Sequence, residues 1–274
     1  WVCSLDPGSP AIREALDAGG RATTVLDDDL VVLAPGRDPD RLAKITDVPV
    51  TLAGLSRIML ANALGAASAG LALGLPRAAV VEGLRTFLPD PVLNWGRFNT
   101  YSVPLPAGGS ATVVIDMAHN EAGLEALLQV CRGLASPGAR VHVGLGGTGD
   151  RPDEAIEGLG EIAGKLADQV VLAHKPKYVR GRTVEEIELF LRAGLARVGV
   201  AEVPAYPGEI EALTAMLATA ADGDVVGLMC HETRVAVQGF LADRGATVDD
   251  PRAIRRKVVA GRGQHHAEEE IAAV

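Results

Sequence analysis

The chain has 274 residues, 48% of them hydrophobic, and its 26 Lys and Arg against 35 Asp and Glu leave a formal net charge of -9. That apolar content excludes a disordered chain and suits one or two domains with a sizeable core. The acidic balance, with no Lys/Arg-rich block, argues against charge-driven binding to nucleic acid or an anionic membrane.

Cys3, Cys131 and Cys230 lie far apart and include no C-x-x-C pair, so they offer neither a zinc ligand set nor a disulfide framework. A reducing cytoplasm is the compartment expected. The most apolar stretch, 58–75, is diluted by Asn62, Ser68 and its glycines, and no basic start precedes an apolar h-region, so neither a membrane span nor a signal peptide is predicted.

Residues 1–5 read as a strand entered without preamble, and position 1 is Trp rather than an initiator Met, so the chain is expected to be a fragment. A Gly19-Gly20 turn follows, and 58–73 and 77–88 have helical patterns. Residues 1–88 therefore contain short strands and two helices but no phosphate-binding loop, and are not expected to form a complete domain. Pro89 and Pro91 stop the second helix and make a stiff connection, which places a boundary in 89–95. Beyond it, 99–105 and the run from Thr112 are expected to pair as a hairpin across Ala107-Gly108-Gly109-Ser110.

From Thr112 onward, strand-like and helix-like segments alternate five times, the signature of a parallel sheet wrapped by crossover helices. The predicted strands are 112–118, 140–145, 169–173, 200–203 and 224–229. Helices are predicted over the stretch following 118 and over 153–167, 183–198, 208–221 and 232–243. Leu124, Leu127, Leu128, Cys131 and Leu134 share one stripe of the first helix, which makes Cys131 a core residue. Near-continuous Val and Leu runs suit strands buried on both faces. The last stretch, 252–274, with its RRK, HH and EEE clusters, is expected to be a frayed helix or tail.

Ligands of open parallel sheets gather beyond the carboxyl ends of the strands. The residues there are Asp116-Met117-Ala118-His119-Asn120, then Gly146-Gly147-Thr148-Gly149-Asp150-Arg151, then His174-Lys175-Pro176-Lys177, and finally His231-Glu232. His119, His174 and His231 are suited to proton transfer or phosphate contact, although each also fits a capping or turn role, as Asn120 does. Gly144-Leu145-Gly146-Gly147-Thr148-Gly149 satisfies G-x-G-x-x-G between a strand and a helix. Asp150, Asp153 and Glu154 would repel a pyrophosphate there, and His174-Lys175 stands where an acidic ribose ligand is expected. The basic pair leaves room for a 2′-phosphorylated cofactor, so an NADP-binding oxidoreductase is the alternative reading, and a tight turn around Asp150-Arg151 is the simpler one.

Five motifs in order carry a family resemblance. Gly54 to Ala67 (GLSRIMLANALGAA) is similar to a G-x-x-N-x-x-N-A-L-A-A helix, with Met59 in place of the first Asn. Gly96-Arg97-Phe98 resembles a G-R-F/M turn, and 114–120 (VIDMAHN) a D-x-A-H-N segment followed by Glu121 where Pro is usual. Gly147 to Arg151 resembles a G-x-x-G-D-R loop, and Asp222 to Glu232 a D-G-D-V-V strand leading to H-E. Together they resemble the C-terminal half of the Mur ligase family, in its cyanophycin synthetase-like branch, over residues 1–250.

The resemblance implies an α/β fold with a Rossmann-like C-terminal domain of mainly parallel sheet, preceded by the end of a P-loop-type ATPase domain. Residues 1–93 would finish the ATP-binding domain, 94–250 would form the C-terminal domain, and 251–274 the tail. It implies an ATP-dependent ligase that joins a small-molecule acid to an amino acid or amine through an acyl phosphate. A carboxylate becomes electrophilic only once its oxygen is turned into a phosphate leaving group. Asn62, Arg97, Asp116, His119 and Asn120 would contact the nucleotide. Asp150, Arg151, His174 and Lys175 would meet the amino acid, with Arg151 as the fork for its α-carboxylate.

No G-x-x-G-K-[ST] occurs in the 274 residues, so the phosphate loop and most magnesium ligands are expected on an N-terminal ligase portion, in cis or in trans. The isolated chain would then be inactive. A non-catalytic, ligase-like module is the remaining alternative. No Asn-Pro-Arg signature is present, so a peptidoglycan precursor is not singled out as substrate.

Overall fold

The computed structural model describes the backbone of residues 1–272 and the side chains of residues 1–261. The chain divides into two compact units, Trp1–Pro89 and Asp90 onward.

The first unit runs β1 (Val2–Cys3), α1 (Pro10–Asp17), β2 (Ala22–Leu26), β3 (Asp29–Leu33), β4 (Asp40–Lys44), α2 (Arg57–Ala72) and α3 (Arg77–Thr86). Its sheet has the order β1-β2-β3-β4, with β1 parallel to β2 and the remaining pairs antiparallel. Asp27 and Asp28 both take positive φ, the conformation that joins β2 to β3 in a two-residue hairpin. Ser56 caps α2 by accepting the Met59 N–H, and the helix buries Leu60, Ala63 and Leu64. Helix α1 is missing from the sequence reading. It has eight residues and buries only Ile12, too little for a periodicity to show.

The second unit runs β5 (Asn99–Pro104), β6 (Ser110–Asp116), α4 (Glu121–Leu134), β7 (Val141–Leu145), α5 (Asp153–Leu166), β8 (Gln169–Ala173) and α6 (Val184–Arg197). It continues with β9 (Ala205–Tyr206), α7 (Glu209–Thr219), β10 (Val225–Met229), α8 (Arg234–Asp243), β11 (Thr247–Val248) and α9 (Pro251–Ala272). The sheet order is β11-β5-β6-β10-β7-β8-β9. Strands β6, β10, β7, β8 and β9 are parallel, and β5 is antiparallel to both β6 and β11. The expected hairpin is present, pairing Asn99 with Ile115 through to Pro104 with Ser110.

The chain steps outward through β7, β8 and β9 and then returns to insert β10 between β6 and β7. Right-handed crossovers taken in opposite directions put their helices on opposite faces. Helices α4, α5 and α6 pack side by side, with α9 against α4. On the other side α7 and α8 cover Val113, Ile115, Val226 and Leu228. Cys131 is fully buried, as its stripe predicted.

The fourth parallel strand lies at 205–206 and not at 200–203. Gly199 has φ +84° and the Val200 N–H returns to the Leu195 carbonyl, so this apolar segment ends α6 in a Schellman turn. Sheet pairing begins only at Pro204, whose carbonyl accepts the Leu172 N–H at 2.8 Å. The final segment forms α9, with Ile254 and Val258 buried. His265, His266 and Glu268 to Glu270 lie outside the residues whose side chains are described. No described helix is long and apolar enough to cross a membrane.

Candidate functional site

The strand order sets the loops after β6, β10, β7 and β8 side by side at one carboxyl edge. At its β6 end, Asp116 is 6% exposed and accepts the Phe98 N–H at 3.0 Å on Oδ2 and the Ala118 N–H at 2.8 Å on Oδ1. Phe98 and Ala118 have φ of 51° and 40°, so the carboxylate pins two left-handed residues. Asn99 adds to this by accepting the Gly96 N–H at 2.7 Å and donating to the Asn94 carbonyl. Burial pushes the Asp116 carboxyl up to about 6, although these N–H groups and the charge of Arg97 favour its ionised form.

Arg97, held between the pinned residues, is exposed and donates to the Gly96 carbonyl at 3.0 Å. His119 is exposed, and Asn120 caps α4 by accepting the Gly123 N–H at 2.8 Å. Arg97, Asp116, His119 and Asn120 are thus gathered on one turn and the loop beside it. Asn62 belongs to the first unit, exposed on α2 with its amide nitrogen 3.6 Å from Met59 Sδ.

Beside this turn an open cleft of about 640 Å³ is lined by Trp95, Met117, Lys177, His231, Glu232 and Arg234, among others. The Arg234 guanidinium sits 5.2 Å from the centroid of the Trp95 ring. Neither ring nitrogen of His231 has a hydrogen-bond partner in the described structure. Burial, then the positive charge of Lys175, depress its pKa to about 3, so the imidazole is neutral.

The four residues expected to meet an amino acid lie on the neighbouring loops after β7 and β8. Lys175 is 3% exposed, and its ammonium donates to Glu209 Oε1 at 2.8 Å and to the Met229 carbonyl at 2.6 Å. His174 pairs with Glu188 at 2.6 Å, and Asp150 with Arg180 at 3.1 Å. Arg151 keeps a buried Nε without a partner.

The glycine loop is closed by its own chain. Gly149 donates to the Tyr178 carbonyl at 2.9 Å, and a Cβ there would lie 1.7 Å from the Val179 carbonyl oxygen. Arg182 donates to the carbonyls of Gly149 and Arg151. Close packing accounts for these glycines without a dinucleotide: Gly149 lies against Val179, Gly147 against Ile187, Gly146 against Lys175 and Gly144 against Leu228.

Glu209, which nothing in the sequence singles out, is the hub of the edge. It begins α7, is 1% exposed and lies 34 positions from Lys175, a separation that no local pattern spans. Burial opposes its ionisation. The charge of Lys175 and the hydrogen bonds it receives outweigh that cost and hold its carboxyl far below the usual range. Trp95 and Arg234 also escaped the sequence reading; they meet only because the chain before β5 packs near the start of α8.

No group of three or more His, Cys, Asp or Glu side chains is arranged to hold a metal ion among the described residues.

Comparison with known proteins agrees with this architecture. Residues 96–231 match the family described as Mur ligase, glutamate ligase domain. A cyanophycin synthetase from Trichormus variabilis is 29% identical over 195 residues, covering 71% of this chain and 21% of that protein. A UDP-N-acetylmuramoyl-L-alanyl-D-glutamate--2,6-diaminopimelate ligase from Solibacter usitatus is 30% identical over 217 residues, covering 78% of this chain and 40% of the ligase. The chain thus spans about a fifth of the first relative and two fifths of the second. Among solved structures, Escherichia coli FolC in complex with ADP shares the fold, with a TM-score of 0.56 at 21% identity over 82% of this chain and 47% of FolC. With a mostly parallel sheet and a family match over residues 96–231, that part of the chain belongs to the Mur ligase family.

Proposed function

We propose that this chain is the distal part of an ATP-dependent carboxylate–amine ligase. Residues 1–93 finish the ATP-binding domain, and 94–250 form the domain that closes on the nucleotide and brings the amine. The γ-phosphoryl group of ATP passes to an oxygen of the acid, leaving ADP. The amine then attacks the acyl phosphate, and the tetrahedral intermediate collapses to the amide with loss of a proton and phosphate. The phosphate cradle and most magnesium ligands belong to protein outside this chain, in cis or in trans, and the chain by itself turns nothing over. The reducing cytoplasm suits its three free thiols.

One observation carries this reading: a single carboxyl edge presents an exposed arginine on a pinned turn, next to a cleft walled by a neutral imidazole and two cations. In this assignment Arg97, with His119 and Asn120 beside it, faces the nucleotide phosphate or ribose, and Asp116 holds the turn that presents Arg97. Asn62 is the adenine contact, and Arg151 takes the α-carboxylate of the amino acid. His174 and Lys175 serve the amino acid side through the residues they hold.

Calorimetric titration of the chain with ATP, alongside a phosphate-release assay, tests the division of roles. Weak binding that Arg97→Ala abolishes, with no turnover, is expected. Robust hydrolysis by this polypeptide alone would refute it, and tight saturable binding of NADP would favour the oxidoreductase reading in its place.

A further inference from the structure

The loop that follows β10 walls the cleft through His231 and Glu232, with Arg234 at the start of α8 beside them, yet residues 230–233 lie outside any strand or helix. Its backbone is organised by one carboxylate. Glu209 accepts the N–H groups of His231 at 2.5 Å, Glu232 at 3.1 Å and Thr233 at 2.9 Å, together with the Thr233 hydroxyl at 2.6 Å. The Cys230 thiol donates to the same group at 3.1 Å.

Lys175 answers that charge from the loop after β8 and also ties down the last carbonyl of β10. Its stem crosses the loop after β7 so closely that a Cβ on Gly146 would lie 2.4 Å from Lys175 Cε. One buried pair therefore joins three of the four loops at the carboxyl edge. A desolvated ion pair is an inefficient way to add stability, since apolar residues often serve as well. This carboxylate has another task, because convergent backbone donors need an acceptor that no apolar side chain supplies.

We infer that Lys175 and Glu209 are positioning residues: Glu209 sets the shape of the 231–233 turn and so places His231 in the cleft wall, and Lys175 locks Glu209 and β10 in register. The inference rests on the proposed function only in taking the cleft as the ligand site.

Amide hydrogen exchange by NMR on the full chain, without nucleotide, tests it, so that a failure of ATP binding leaves the result intact and the reverse also holds. In the wild type the amides of His231 and Thr233 should exchange as slowly as those of Val226 and Leu228 in β10. Glu209→Gln should speed the turn amides by about 10- to 100-fold and shift the His231 ring resonances, with the β10 amides unchanged. The charge-swapped pair Lys175→Glu with Glu209→Lys should not restore protection, because an ammonium cannot accept an N–H, whereas a plain stabilising ion pair would be restored. Lys175→Met, which keeps the carboxylate, should leave the turn amides slow and move the His231 ring resonances; it decides the matter if Glu209→Gln does not fold. Fast exchange of the turn in the wild type, or protection regained in the swap, would overturn the inference.

Discussion

The Asp116 carboxylate accepts the Phe98 N–H at 3.0 Å across 18 positions of sequence, and with its other oxygen it accepts the Ala118 N–H at 2.8 Å. A buried acid at the end of β6 thereby fixes the turn that enters β5, and Arg97 is carried on that turn.

Burial of that acid makes stability depend on pH with a defined sign. The Asp116 pKa is about 6 in the fold against 3.8 in the unfolded chain. The contribution is fully present below the unfolded value and is lost as pH rises through 6, because the unfolded state then ionises more readily. Between pH 7 and pH 4 the wild type should gain about 2 kcal/mol relative to Asp116→Asn. Denaturant unfolding of both proteins at the two pH values measures it; a constant difference between them would count against burial of the carboxyl outweighing the hydrogen bonds it accepts.

His231 works in the opposite direction. Its pKa is depressed from 6.5 to about 3, so its contribution is complete above pH 6.5 and is lost as pH falls below that, where the unfolded imidazole takes up a proton and the folded one does not. A ¹⁵N-detected titration should show the ring neutral from pH 8 down to pH 4.5. A midpoint near 6.5 would mean that the ring is solvated.

Breaking the Lys175–Glu209 pair strands a buried charge. Lys175→Met leaves the Glu209 carboxylate, 1% exposed, without its counter-ion, and should cost about 3 to 5 kcal/mol, the usual penalty for removing one partner of a buried pair. Chemical denaturation reads the loss directly, and a change below about 1 kcal/mol would place the pair among solvent-screened ones.

Two glycine substitutions in the second unit should diverge. Gly149→Ala drives a Cβ to within 1.7 Å of the Val179 carbonyl oxygen, which must move; a loss of about 3 kcal/mol is expected. Gly239→Ala, inside α8 with nothing within 4 Å of the added Cβ, should instead stabilise by up to about 1 kcal/mol. Melting temperatures of the two variants moving the same way would contradict the packing described for residues 178–182.

Much of the second unit was legible because burial on both faces leaves a parallel strand few polar residues. The runs at 112–116, 141–145, 169–173 and 225–229 therefore show plainly. The glycine pair Gly108-Gly109, both at positive φ, announced the hairpin. The segment at 200–203 misled because Val198 and Val200 are apolar for another purpose: both lie against Gly164 of α5, and the second closes the Schellman turn of α6.

What the sequence determined by itself was local: hydrophobic period, turn chemistry, and the polar residues standing just after each strand. Those follow from backbone geometry and solvent, which act over a few positions. Only the tertiary structure decided that β10 inserts between β6 and β7, and with it that Lys175 reaches Glu209 and the Met229 carbonyl, and that residues 178–182 fill the space above Gly149. Several polar side chains at the carboxyl edge are candidates when read singly, because each has unsatisfied donors or acceptors in the extended chain. Folding spends those of Asp116 and Lys175 on the protein itself, leaves Arg97 exposed and buries the His231 ring nitrogens without a partner, a division set by the desolvation cost of each group in its final surroundings.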